Sequence, residues 1–298
     1  MLVSTRRFSV LLGLALLLGS PTPGLAQITI PREGSPVEVG VPEMNRGIQL
    51  IQNGQLDAAI AAFQQATQAN PRLAPAYYNL GLALRQKSDL QASATAFYQA
   101  TQADPGFALA FANLGAALLE GSNLDLAGQY LQRATQLDPN LGIAYYNLGL
   151  VRRRQGSQPQ AIAALQQAAR LSPSAAEPSY HLGLIYDEQR QPSEAIRSFE
   201  RAIAINPRYA EAHYSLGSVL MQQGDLNRAL QAFRRSAEAN PNYANAYYGA
   251  GLIFLRQNNY PEAQRVFQYA QTLYGSQGNS RWAASAAQLL QQAQSQIR

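Results

Sequence analysis

From about residue 42 onward the chain alternates between two apolar stripes, each spaced for a helix. In the first, set out by Tyr145-Tyr-Asn-Leu-Gly149, large residues and a glycine recur three and four positions apart, which keeps them on one helical face. In the second, Ala161, Leu165 and Ala168 repeat that spacing. Prolines at Pro71, Pro105, Pro139, Pro173, Pro207 and Pro241 follow one another at a constant step of 34 residues, and a constant step of that size marks stacked helical hairpins. The pattern predicts an all-α chain with seven helix pairs, over 40–73, 74–107, 108–141, 142–175, 176–209, 210–243 and 244–277.

Reading the repeats column by column shows what each position does. Gly47, Gly81, Gly115, Gly149, Gly183, Gly217 and Gly251 place one glycine in every first helix. A glycine inside a helix costs roughly 1 kcal/mol relative to alanine, so its recurrence implies a neighbour that leaves no room for a side chain. Small residues recur on the second helix as Ala59, Ser93, Ala127, Ala161, Ala195, Ala229 and Ala263, and again one face-length on from Ala66 to Ala270. Between them runs a large column, Phe63, Phe97, Leu131, Leu165, Phe199, Phe233 and Phe267, which reads as core. Pro159, Pro192 and Pro261 fall in the first turn of second helices, where the missing N–H has no intrahelical partner to lose.

At these residues the chain resembles the tetratricopeptide-repeat family, matching its 34-residue period and its Gly, Ala, Phe, Ala and Pro signature over residues 40–277. The resemblance implies a right-handed α-solenoid of antiparallel helix pairs, whose first helices line a concave groove that receives peptides or partner domains. Repeat one departs with Glu43 where later repeats carry Tyr77, Phe111, Tyr145 or Tyr247, and repeat seven ends at Gly275 instead of proline. Terminal repeats lack one neighbour, so departures there are expected. Some members of the family clamp a peptide carboxylate with Lys and Asn; Met44 and Ile48, or Tyr78 and Leu82, stand where those residues would fall, which disfavours that clamp.

The ends read differently. Residues 1–26 carry Arg6 and Arg7, an apolar run at 10–18, a Pro-Thr-Pro-Gly breaker and Gly24-Leu-Ala26, the layout of an export signal cleaved after Ala26. The run is shorter than the about 20 apolar residues of a membrane span, so no stable span is expected after cleavage, and the mature chain is expected in the periplasm or a comparable extracytoplasmic space. Residues 27–39 lack helical periodicity and read as a flexible leader. Residues 278–298 set Trp282, Ala286, Leu289, Leu290, Ala293 and Ile297 on one face, as a helix capping repeat seven.

Composition narrows the chemistry. The chain has no cysteine, which removes disulfides, thiolate metal sites and thiol nucleophiles. Its formal charge of +5 falls to +3 once Arg6 and Arg7 are discounted, and the arginines are dispersed, whereas nucleic acid calls for a continuous basic stripe. Lys87 is the only lysine and follows Gln86, so no phosphate loop ending in Gly-Lys exists. His181 and His213 lack a third nitrogen or sulfur ligand, so packing or groove lining outweighs a metal role. Glu177, Asp187, Glu188 and Glu211 are scattered along helices with no nucleophile beside them. They read as a solvated face, not as an acid/base pair. No cofactor and no enzymatic activity are expected.

The candidate binding surface is a ladder beside the core stripe. Its rungs are Tyr78, Tyr146, Tyr180, Tyr214 and Tyr248, followed one turn later by Leu82 and Leu150, with Asn79, Asn113, Asn147 and His181 adjoining. Tyrosine offers large contact area and a hydroxyl at little entropic cost, so the ladder suits an extended peptide or a helix. The other reading is that these rings pack helix on helix. Arg152, Arg153 and Arg154 interrupt a column otherwise filled by residues such as Leu118 and Phe254; the alternatives are an anion-binding patch or ion pairing between repeats with Asp187 and Glu188. The expected function is a non-enzymatic scaffold for a protein or peptide partner, compatible with homo-oligomerisation. The alternative is a scaffold subunit of envelope polysaccharide, pilus or secretion assembly, with tyrosines contacting sugar rings.

Overall fold

The structure is a computed structural model and describes residues 39–297; the expected export signal and nearly all of the expected leader lie outside the described residues. Fifteen α-helices and no strand occur among the described residues. The chain divides into two compact units, before and after the Leu171–Ser172 bond. In the first, α1 (Val41–Gln52) pairs with α2 (Leu56–Ala69), α3 (Ala74–Gln86) with α4 (Leu90–Ala103), α5 (Ala108–Glu120) with α6 (Leu124–Leu137), and α7 (Gly142–Arg154) with α8 (Gln158–Leu171). The second pairs α9 (Glu177–Glu188) with α10 (Pro192–Ile205), α11 (Ala210–Gln222) with α12 (Leu226–Ala239) and α13 (Ala244–Arg256) with α14 (Tyr260–Ser276), followed by α15 (Ser280–Gln296). Inside each unit the second helix of one hairpin also packs on the first helix of the next.

One turn joins the helices of every hairpin. Gly54 donates to the Ile51 carbonyl and Gln55 to that of Leu50, the paired bonds of a Schellman stop that satisfy the last carbonyls of the first helix. The same two bonds recur, for instance from Gly224 to Met221 and Asp225 to Leu220. The turn requires a left-handed residue, supplied by Gly54, Gly156, Gly224 and Gly278 but also by Ser88, Ser122, Arg190 and Asn258, all at positive φ. Asp89, Asn123, Asp225 and Asn279 then cap the next helix with a side-chain oxygen. At the other end, Asn70, Asp104, Asp138, Asn206 and Asn240 leave the second helix in extended conformation. Each accepts the N–H two residues on, turning the chain across the repeat proline.

The glycine column has the steric cause expected of it. A Cβ built on Gly47, Gly81, Gly183 or Gly251 would lie 2.5 to 2.7 Å from the ring of Phe63, Phe97, Phe199 or Phe267 respectively. On Gly115 and Gly149 it would lie 2.5 and 2.6 Å from Leu131 and Leu165. Each large side chain is buried against the glycine of its own hairpin, flanked by alanines with no exposed surface. Where alanine gives way to serine the hydroxyl is bonded: Ser93 donates to the Gly81 carbonyl and Ser236 to that of Ala210, both at 2.8 Å.

The last helix continues this packing. Ala286, Leu290 and Ala293 of α15 are buried, with Leu290 and Ala293 joining the Phe267 cluster. Ile297 does not follow the face expected of it; at the fraying C-cap it is 47% exposed.

Phe199→Ala is expected to cost about 3–5 kcal/mol, and Gly183→Ala about 1–3 kcal/mol because the ring must move; urea unfolding followed by circular dichroism checks both. Arg190→Gly, which removes a left-handed arginine, should raise stability by roughly 1 kcal/mol in the same assay.

Candidate functional site

The tyrosine rungs are placed by the core they adjoin. Tyr78 on α3 is only 8% exposed. Its ring centroid lies 5.8 Å from Phe97 in its own hairpin and 5.0 Å from Phe107, at the start of the next. Tyr180 repeats the arrangement with Phe199 at 5.9 Å and Tyr209 at 4.9 Å, and Tyr214 does so with Phe233 at 5.6 Å and Tyr243 at 5.5 Å. Tyr248 contacts Phe267, Tyr274 and Trp282. Tyr78, Tyr180, Tyr214 and Tyr248 therefore serve packing within their units. Tyr146, Tyr180, Tyr214 and Tyr248 keep a half-buried edge, but Tyr78 does not, and Asn79 beside it is 7% exposed. Those two are core residues, a correction to the groove expected there: Phe97 and Phe107 cover the Tyr78 ring, and Asn79 is buried with it.

Other predicted positions remain on the surface. Leu82, Asn113, Asn147, Leu150 and His181 are half-buried on first helices. Asn113 donates to the Leu109 carbonyl at 2.9 Å and lies 3.4 Å from the Tyr78 hydroxyl. That amide belongs partly to the stack, while Ile143 on α7, one turn before Asn147, is 45% exposed. His213 is buried, with Nε2 2.9 Å from the Pro207 carbonyl. A carbonyl only accepts, so Nε2 carries the proton there.

Arg152 and Arg154 reach different partners. Arg152 bonds Gln155 at 3.0 Å and reaches Gln132 on α6, whereas Arg154 donates to the Leu119 carbonyl at 2.9 Å. That carbonyl, near the C-terminus of α5, also accepts the Ser122 N–H at 3.1 Å, and a cation there meets the negative end of the helix dipole. Arg152 and Arg154 are thus committed to structure on different partners. Nearby, Arg85 pairs with Glu120 across adjacent first helices, both side chains largely shielded.

The second unit has a different electrostatic face. Glu211, in the first turn of α11, titrates above the usual carboxylate range because burial removes its solvation. Asp187 is raised by burial and then by Glu188 beside it. Burial also raises Tyr243, with further contributions from Tyr180, Tyr214 and Glu211 and an opposing hydrogen bond from Asn245. Tyr274 bonds the same Asn245 at 2.5 Å. The described depressions lie elsewhere, one of about 520 Å³ around the 121–125 turn and one of about 340 Å³ bordered by His213, Arg228 and Arg235. Neither is lined by a tyrosine rung.

Comparison with known proteins agrees with this geometry. A model of the cilia and flagella-associated protein 70 C-terminal domain, of tetratricopeptide type, matches residues 22–250, and a tetratricopeptide repeat model matches residues 220–289. The chain belongs to the tetratricopeptide-repeat family. YrrB, a tetratricopeptide protein with an unusual peptide-binding site, is 26% identical with a TM-score of 0.53 over 65% of this chain and 99% of its own. MamA is 28% identical with a TM-score of 0.51, covering 55% of this chain and 96% of its own. A tetratricopeptide protein from Parabacteroides merdae shares the fold, with a TM-score of 0.63 at 17% identity over 83% of this chain and 98% of that one. No curated protein matches the chain. The tetratricopeptide architecture is that of a protein–protein interaction scaffold. No helix among the described residues is long and apolar enough to cross a membrane, and no group of three metal-ligating side chains forms among them.

The residues that sequence reasoning passed over are those beneath the rungs. Phe107, Tyr209 and Tyr243 cap first helices, and they recur with Leu73 and Leu141 at the same 34-residue step. That column carried the signal.

For the raised Glu211 the sign is definite. The folded state holds its proton more tightly than the unfolded state, so its contribution favours folding at low pH and is lost as pH rises through its folded pKa. Glu211→Gln is therefore expected to melt higher than the parent at pH 7, with the gap closing toward pH 4; thermal melts across that range check it.

Proposed function

We propose that this tetratricopeptide protein is an exported, non-enzymatic scaffold that holds an extended peptide or a helix of a partner protein on its first-helix faces. The observation that carries the reading is the exposed side of α7, where Ile143 is 45% exposed and Asn147, Tyr146 and Leu150 remain half-buried. An apolar side chain, an amide and a ring edge within one helical turn offer contact area together with donors and acceptors for a peptide backbone. Export rests on the charged, apolar and small-residue layout of residues 1–26, with cleavage after Ala26.

The decisive experiment is in-cell crosslinking in the envelope, followed by partner identification and recapture with purified variants. Ile143→Asp with Asn147→Asp, at surface positions, should leave helicity unchanged and weaken capture of that partner by about tenfold or more. Undiminished capture would place the partner elsewhere. A chain recovered from the cytoplasm with residues 1–26 still attached would refute the export assignment.

A further inference from the structure

One hairpin of the second unit lacks a pair of rings that its neighbour has. Counted in steps of 34 from Tyr77, the first helices carry Phe111, Tyr145, Ser179, His213 and Tyr247. Two of these rings are met by a second one on the following helix. Phe111 lies 6.1 Å from Tyr130 on α6, and Tyr247 lies 4.7 Å from Tyr269 on α14, edge to face. The hairpin of α11 and α12 has neither partner: Ala232 stands at the position of Tyr130, and Arg235 at that of Tyr269. The His213 imidazole is itself committed to the Pro207 carbonyl at 2.9 Å.

What remains there is the depression of about 340 Å³, a volume in the range of small-ligand sites. Its floor is apolar. Leu220 and Ala232 are 3% and 6% exposed, with Leu216 and, from α10, Ile203 half-buried beside them. Its rim holds two guanidinium groups that already have carboxylates: Arg228 bonds Glu200 at 3.0 Å, and Arg235 bonds Glu238 at 3.1 Å. Such bonds run along N–H directions in the guanidinium plane and leave its faces to stack on a ring. Paired charges at the rim give little pull on an anion. An apolar floor, stacking faces above it, and a space that the next hairpin fills with its own ring together select an aromatic occupant over an aliphatic or an ionic one.

We infer that this depression, bounded by α10, α11 and α12, takes an aromatic side chain of a partner protein, seated where Tyr269 stands in the following hairpin. The site is separate from the α7 face, and neither reading depends on the other.

The test is a titration of the full chain, labelled at its isoleucine and leucine methyls, with N-acetyl-phenylalanine amide or N-acetyl-leucine amide, followed by methyl NMR. The phenylalanine amide should shift the Ile203, Leu216 and Leu220 methyls saturably and bind about fivefold more tightly than the leucine amide. Ala232→Val and Arg235→Tyr each install the residue of the next hairpin, and each should weaken the phenylalanine amide by about fivefold. Arg234→Tyr adds a ring to the same helix outside the depression and should leave binding unchanged; thermal melts confirm that the variants fold. Equal binding of the two amides, no loss in either filled variant, or an equal loss in Arg234→Tyr overturns the inference. If the same methyls shift with protein concentration when no amide is present, the occupant is a second copy of this chain and the partner assignment falls. None of these outcomes bears on capture of a peptide by α7.

Discussion

Everything in this chain depends on a large side chain lying directly on a glycine. The rings of Phe63, Phe97, Phe199, Phe233 and Phe267 and the side chains of Leu131 and Leu165 occupy the space where a first-helix Cβ would stand. That contact sets how closely two helices of a hairpin approach, and the alanines flanking the ring are small because the approach is close. Ridges on the two helices then interlock with few voids, which is how interiors reach crystal-like density. With the glycine lost, the ring has to leave its slot; with the ring lost, the slot is a cavity. Neither half of the contact tolerates change without the other.

The same contact explains why the tyrosine rungs double as structure. Packed phenylalanines also meet a tyrosine of their own hairpin's first helix, Phe199 with Tyr180 and Phe233 with Tyr214. Their rings belong to the stack. A partner docking there would meet side chains already fixed by the core, so little conformational freedom would be lost on binding.

Periodicity made the helices, the glycine contacts and the turn chemistry legible, because a constant step converts a single ambiguous residue into a column. What it could not convey was depth. Tyr78 and Tyr146 occupy the same column, yet Phe97 and Phe107 bury the first, whereas the matching positions in the repeat of the second hold the smaller Leu165 and Ala175. The arginines misled for a related reason: Arg152 and Arg154 are neighbours in sequence but leave the helix on different sides, one toward α6 and the other onto the end of α5.

The tryptophan at the end of the array has a further consequence. Trp282 is the only tryptophan in the chain, and it stacks on Tyr274 and meets Tyr248 edge-on. In a linear stack each hairpin gains stability chiefly from its neighbours, and the ends loosen before the middle. Its indole fluorescence is therefore a local gauge of the C-terminal end, blind to the hairpins before it. An optical transition followed at that wavelength describes fraying of one terminus, not the melting of the molecule.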